Sequence, residues 1–388
     1  MAKKKTKETG DVLIDGIVKK YGSIIESGTK VLKTLDTYEV LSVSPALDLA
    51  LGGGIREGQC VGMTGDPKTG KTTTALYFAA KAQALGKRVF YLNTEGRMTK
   101  ENFRGIKGLD VDAIEIVQAT DEEPVVSAEK YLNTLETLIK REPNLVCIVD
   151  SASNMTPKDE LDGEIRADVR NKLPRLLSMF FKRTSGDVSR MKAIVIFITH
   201  NIANTSGSRY APLKHADCGN MLQFQVGTNM IITHRGRWEV PKESGNHVGQ
   251  VVNWRIMTSA AGGTPNSTAE SWLRYGVGLD EAQEICHIAT QFALISAKGA
   301  WYTINCLIEN KDDPLIAKWL LDHEIEEKLT SEQIDSMTDK QLEKHKEANE
   351  EKVIKAFKFQ GMDNLSTFIT EEEGLQEFVI AKVREILL

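Results

Sequence analysis

Between about residues 41 and 275, short apolar runs alternate with segments whose apolar residues recur at helical spacing. The runs at 59–64, 89–92, 145–150 and 193–198 are nearly continuous rather than alternating, as expected of strands covered on both faces. Residues 72–84, 125–140 and 173–182 carry helical periodicity. This succession predicts an α/β fold with a mostly parallel central sheet, in which ligands bind at the carboxyl ends of the strands. Before it, residues 12–21 have helical spacing, 23–26 form a short apolar segment and 27–39 a linker. After it, residues 281–388 are expected to be mainly helical, with a highly charged, solvated insertion at about 324–355. The expected organisation is an arm and linker (1–40), a core (41–280) and a smaller C-terminal domain (281–388).

Composition narrows the function classes. With 388 residues and 41% hydrophobic content, the chain can bury a large core. A net charge of −5 argues against a wholly basic nucleic-acid coat but leaves room for a local basic surface. No apolar run matches a membrane span, and the basic start MAKKKTK has no apolar region behind it, so a cytoplasmic protein without a membrane partner is expected. Cys60, Cys147, Cys218, Cys286 and Cys306 show neither C-x-x-C nor metal-ligand spacing, which fits a reducing compartment.

The segment Gly65-Asp66-Pro67-Lys68-Thr69-Gly70-Lys71-Thr72 spells G-x-x-x-x-G-K-T, followed by Thr73. It lies between an expected strand and an expected helix. That context aims successive backbone N–H groups and a helix N-terminus at one point, where a polyphosphate such as that of ATP sits. Lys71 reaches the β/γ-phosphates, and the Thr72 hydroxyl is a ligand for Mg²⁺.

Other candidates fall at strand ends. Asp150 closes an apolar strand and can hold the Mg²⁺ shell opposite Thr72, or cap the strand end. Glu95, just after the strand at 89–92, can orient or deprotonate the attacking water, though by spacing alone a surface glutamate is an equal reading. His200 can hydrogen-bond the γ-phosphate, whereas a lone histidine is usually structural. Residues 201–220 form a long polar loop with Arg209, Tyr210, Lys214 and His215, and residues 155–172 carry Lys158, Arg166, Arg170 and Lys172. Arg175 and Lys182 follow on the next helix. These cations suit single-stranded DNA, but interleaved acids make ordinary surface charge an equal reading.

Residues 146–165, VCIVDSASNMTPKDELDGEI, resemble the second nucleotide motif and first DNA loop of the RecA recombinases. Further similarities keep their order: KYGSII at 20–25, LDLALG at 47–52, YGVG at 275–278, KGAWY at 298–302 and KVREIL at 382–387. The resemblance implies a RecA-like ATPase that forms helical filaments on single-stranded DNA and exchanges strands with homologous duplex DNA. A recombination mediator and a single-stranded-DNA-binding protein would be further partners. It implies that Glu95 is the catalytic glutamate and that His200 stands where bacterial members have a phosphate-sensing glutamine, a histidine there being similar to phage-type, UvsX-like members. It places Ser208, Arg209, Tyr210, Gly219 and Asn220 in the second DNA loop and sets Arg175 and Lys182 against DNA, while Arg166, Arg170 and Lys172 remain DNA candidates by their clustered charge. Phe103 and Tyr275 would sandwich the adenine, and Ile24 and Ile25 would sit in the subunit interface.

The chain departs from the family where two lysines reach the neighbour's γ-phosphate. Alignment backward from Tyr275 puts Ser259 and Ala261 there, with Arg255 the nearby cation. A missing cation removes transition-state stabilisation. A filament that coats DNA with little hydrolysis is therefore one alternative function, and a ring helicase on the same core is another.

Overall fold

The computed structural model describes residues 14–22, 24–162, 172–203, 214–216, 220–241, 243–325, 329 and 336–387. The chain forms two compact units, Met1–Val40 and Leu41–Leu388. In the first, residues 14–21 are helical and 24–27 have no regular structure. Helix α1 (Gly28–Leu35) starts where the Ser27 side chain accepts from the Lys30 N–H, and it buries no residue. Ile24 and Ile25 are 70% and 40% exposed.

The second unit is built on one large sheet. Its leading elements are α2 (Pro45–Leu51), β1 (Gln59–Gly65), α3 (Lys71–Ala84), β2 (Val89–Asn93), β3 (Ile114–Val117), α4 (Ala128–Arg141), β4 (Val146–Asp150), α5 (Leu173–Arg190) and β5 (Ile194–Ala203). Then follow β6 (Thr228–Glu239), β7 (His247–Thr258), β8 (Ser267–Arg274), β9 (Gly278–Leu279) and α6 (Glu281–Gln291). The strand order is β9-β8-β7-β6-β1-β5-β4-β2-β3, and residues 214–216 pair with the end of β5. Pairing is parallel from β6 through β1 to β3, and antiparallel from β6 to β9. The mostly parallel sheet was expected. The antiparallel wing was not, because β6 and β7 mix buried and exposed positions, as strands half-exposed to solvent do, rather than forming the continuous runs used to find the centre.

Two apolar layers cover the sheet. On one face, α3 and α6 pack with Val61, Met63, Ile148 and Ile196; on the other, α4 and α5 pack with Cys147, Val149, Val195 and Phe197. Each central strand thus sends alternate side chains into opposite cores, which is why its sequence is apolar throughout.

The C-terminal part is mainly helical: α7 (Pro314–Asp322), α8 (Asp339–Ala356), α9 (Met362–Glu371) and α10 (Glu373–Leu387). It also contains an unexpected antiparallel sheet of β10 (Ile295–Lys298), β11 (Trp301–Ile304) and β12 (Lys358–Gln360). Its strands are too short for periodicity to show, and Trp301 pairs with the distant Gln360. Ile285, Ile316, Leu375 and Val379 join the same core as Leu47 and Leu51.

Candidate active site

The parallel register aligns the strand ends that carry the chemistry. Gly65 of β1 stands opposite His200 of β5, and Asn93 of β2 opposite Asp150 of β4. The loop leaving β1 turns into α3 through Gly70, which is left-handed at φ 95°. That left-handed conformation favours glycine, and a Cβ there would also sit 2.2 Å from Leu273 Cδ1.

Inside the loop, Lys71 is buried, and its Nζ donates to the carbonyls of Gly65 (2.9 Å) and Asp66 (2.8 Å). Burial lowers its pKa, while Asp150, Glu95 and Asp66 favour the charged form. A second anchor is the Thr69 hydroxyl, which donates to the Asp66 carbonyl at 2.8 Å. The Asn201 amide donates to Asp66 Oδ1 at 3.3 Å. Pro67, Lys68, Gly70, Thr72 and Thr73 face a cleft of about 610 Å³, whose other walls include Tyr91, Glu95, Asp150, His200 and Tyr275.

Asp150 Oδ2 accepts from the hydroxyls of Thr72 and Tyr91, each at 2.7 Å. Burial raises the Asp150 pKa, and the negative Glu95 adds to this, against those two hydroxyls and Lys71. A buried carboxylate beside a threonine hydroxyl at the phosphate loop suits Mg²⁺, which takes one or two protein oxygens and fills its shell with water and phosphate. No cluster of three or more acidic, histidine or cysteine side chains stands ready for a metal among the described residues.

Glu95 Oε1 lies 2.5 Å from His200 Nε2 and accepts from the Ser151 hydroxyl at 3.0 Å. An ionised carboxylate only accepts, so Nε2 carries a proton. Burial alone would raise the Glu95 carboxyl. The hydrogen bonds from His200 and Ser151, with the charges of His200 and Arg97, outweigh it and hold the group below its ordinary value. His200 is anchored by its own N–H, which donates to Ser153 Oγ at 3.1 Å.

The structure therefore brings together Lys71, Thr72, Asp150, Glu95 and His200. Tyr275 is 61% exposed on the wall of the cleft. Phe103 is 4% exposed and packs edge-on against Tyr91, with ring centroids 5.3 Å apart, because an apolar ring gains more by burial in the core than at a wet rim. Among the DNA candidates, Arg175 and Lys182 are exposed on α5. Lys172 precedes that helix and pairs with Asp159 at 2.6 Å. Asn220 opens the helix Asn220–Gln225. Arg166, Arg170, Ser208, Arg209, Tyr210 and Gly219 lie outside the described residues.

Sequence reasoning missed Tyr91, Ser151 and Ser153. Tyr91 had a usable signal, since a tyrosine within a buried apolar strand needs a partner for its hydroxyl. It also missed Gln250, whose amide donates to the Lys68 carbonyl at 3.2 Å and ties the antiparallel wing to the loop.

Residues 10–280 match the model of the RecA N-terminal domain. The chain belongs to the RecA family. It is 28% identical over 306 residues to Protein RecA of Lactobacillus johnsonii, covering 78% of this chain and 81% of that one. Protein RecA of Thermotoga neapolitana is 29% identical over 260 residues, covering 67% and 71%. That of Aquifex pyrophilus is 28% identical over 314 residues, covering 81% and 87%. The α/β sheet described above is the family's core. No helix among the described residues is long and apolar enough to cross a membrane.

Proposed function

We propose that this chain is an ATP-dependent recombinase that forms helical filaments on single-stranded DNA and exchanges strands with homologous duplex DNA. The observation that carries the reading is the convergence of Lys71, the Thr72–Asp150 pair and the Glu95–His200 pair on one cleft at the carboxyl end of the sheet. ATP would lie along it, with Lys71 leaving the loop carbonyls for its phosphates and Tyr275 against its base. Thr72 and Asp150 would hold Mg²⁺, which supplies charge neutralisation on the phosphates. Glu95 would orient the attacking water. His200 would report the terminal phosphate to residues 201–220 and so to DNA, in the manner of phage-type members.

Filaments need a heterologous contact that does not close on itself. The exposed Ile24 and Ile25 are suited to such a contact with a second copy, and residues 1–40 would then act as an oligomerisation arm. Residues 41–280 would form the ATPase and DNA-binding core and 281–388 a C-terminal domain. The partners would be DNA, further copies of the chain, a recombination mediator and a single-stranded-DNA-binding protein, in the cytoplasm.

The test is ATP hydrolysis with and without single-stranded DNA, alongside strand exchange between a single strand and a homologous duplex. Stimulation by DNA that is lost in Glu95→Gln, with exchange in the wild type, supports the reading; exchange without any need for ATP sinks it. A second reading, a DNA-coating filament with scarcely any hydrolysis, is favoured by one observation. Ser259 is turned to the Leu51 carbonyl and Ala261 is uncharged, so neither supplies the family's cation.

A further inference from the structure

We propose that the guanidinium of Arg97 contacts the terminal phosphate of ATP within its own subunit and stabilises the charge that develops there during hydrolysis. This rests on the cleft being an ATPase site.

The floor of the cleft around Lys71 is rich in carboxylates. Asp150, Glu95 and Asp66 all act on Lys71, the one buried cation of the loop. A terminal phosphate entering beside Lys71 meets the carboxylates of Glu95 and Asp150, which line the cleft, so its charge calls for cations beyond Lys71. Four lysine and arginine side chains line the cleft: Lys68, Lys71, Arg97 and Arg274. Arg274 is committed elsewhere, with Nε on Asp280 at 2.9 Å and its guanidinium 4.5 Å from the Trp238 ring centroid. Lys68 sits on the outer turn of the loop, left-handed at φ 62°. Arg255 lies outside the cleft and holds Asn266 Oδ1 through two N–H groups, at 3.2 and 2.8 Å.

Arg97 differs from all of these. It is exposed at the cleft, two residues beyond Glu95, and makes no hydrogen bond or ion pair among the described residues. Its charge is nonetheless felt at the Glu95 carboxylate. A guanidinium with five donors and no local acceptor, on the segment that carries the catalytic carboxylate, is equipped to take a phosphate bidentately. It would act from the same subunit, where the family's lysines at positions 259 and 261 would act from the neighbour.

The experiment measures steady-state ATP hydrolysis on single-stranded DNA for the full chain and for R97A, R97K, K68A and E95Q. ADP affinity and melting temperature are measured for each. In R97A, kcat should fall on the order of 10³-fold, as for loss of an arginine that stabilises phosphoryl transfer. KM for ATP, ADP affinity and melting temperature should stay near wild type. R97K should keep part of the rate, and millimolar guanidinium should restore part of the R97A rate, which a structural role would not produce.

Wild-type kcat in R97A, with E95Q inactive, overturns the proposal and leaves the ATPase reading standing. A larger fall for K68A than for R97A overturns it in favour of Lys68. A fall in R97A matched by lost ADP affinity or a lower melting temperature assigns Arg97 to the fold and overturns it too. A wild-type chain that hydrolyses no ATP removes the ATPase reading and the proposal together.

Discussion

His200 Nε2 and Glu95 Oε1 meet at 2.5 Å although β5, which carries His200, and β2, which Glu95 follows, are separated in the sheet by β4. Ser151, at the end of that middle strand, completes the bridge by donating to the same carboxylate oxygen. Glu95 and His200 thus hold each other at the mouth of the cleft, and under the proposed function this contact would couple phosphate recognition to the state of the base.

His200→Ala should break that coupling. Glu95 would lose its largest stabilising hydrogen bond, so its carboxyl would titrate higher than in the wild type. In the wild type the group lies below its ordinary value of 4.5, so its ionised form survives, and its contribution to stability holds, until pH falls below that value. The acid limb of the pH–rate profile should therefore move to higher pH in the variant. DNA affinity should also become equal with ATP and ADP, as read by fluorescence anisotropy of a labelled single strand.

Tyr91→Phe removes one of the two hydroxyls on Asp150 Oδ2. A hydrogen bond to a charged group contributes about 1.5–3 kcal/mol. Asp150, already raised by burial, should ionise less readily. The Mg²⁺ concentration for half-maximal hydrolysis should rise about tenfold or more by that energy, while ADP affinity without metal changes little. An unchanged Mg²⁺ requirement would take Asp150 out of the metal site.

Gly105→Ala tests the wall of the cleft beside Tyr275. A Cβ at residue 105 would lie 2.7 Å from the Gly276 carbonyl oxygen, and backbone cannot swing aside as a side chain can. The turn carrying Tyr275 should shift, raising KM for ATP with a smaller effect on kcat.

Glu284 is fully buried, and burial pushes its carboxyl up to about 7 against the Ser271 and Ser44 hydroxyls and the Ala46 N–H. Asp48 nearby is raised to about 6, also chiefly by burial. An acid whose folded value is raised is most favourable to the fold below its unfolded value of 4.5. That contribution is lost as pH climbs through about 7. Melting temperature should therefore fall from pH 5 to pH 8, by up to about 3 kcal/mol of stability if Glu284 acts alone. Glu284→Gln should flatten the profile; an equally steep profile in that variant would show that other groups set it.

The phosphate loop, its flanking strand and helix, and the acids at the strand ends were legible because each is encoded within about a dozen neighbouring residues. Asp150 and Glu95 needed only the rule that parallel strands present their carboxyl ends to ligands. What escaped depends on contacts distant in sequence. Tyr91 reaches Asp150 across 59 positions and Gln250 reaches Lys68 across 182. The burial of Phe103 beside Tyr91 left no local trace, because an aromatic near a nucleotide motif serves stacking and core packing equally well in sequence. The antiparallel wing was overlooked because its strands mix buried and exposed positions, and the pairing of Trp301 with Gln360 has no local trace.

That last pairing frames a large excursion of the chain. Thr303 and Lys358 are register partners, so everything between them departs from and returns to one rung of a small sheet. Helix α7 anchors the outward path through Ile316 and Leu320, and α8 anchors the return through Val353. From residue 321 to 352, no described residue is buried. Closing a loop half as long changes the free energy by only about 0.6 kcal/mol. The excursion is thus a tolerant site for trimming, or for a fluorophore or affinity handle, reporting on the assembled protein without disturbing the nucleotide cleft.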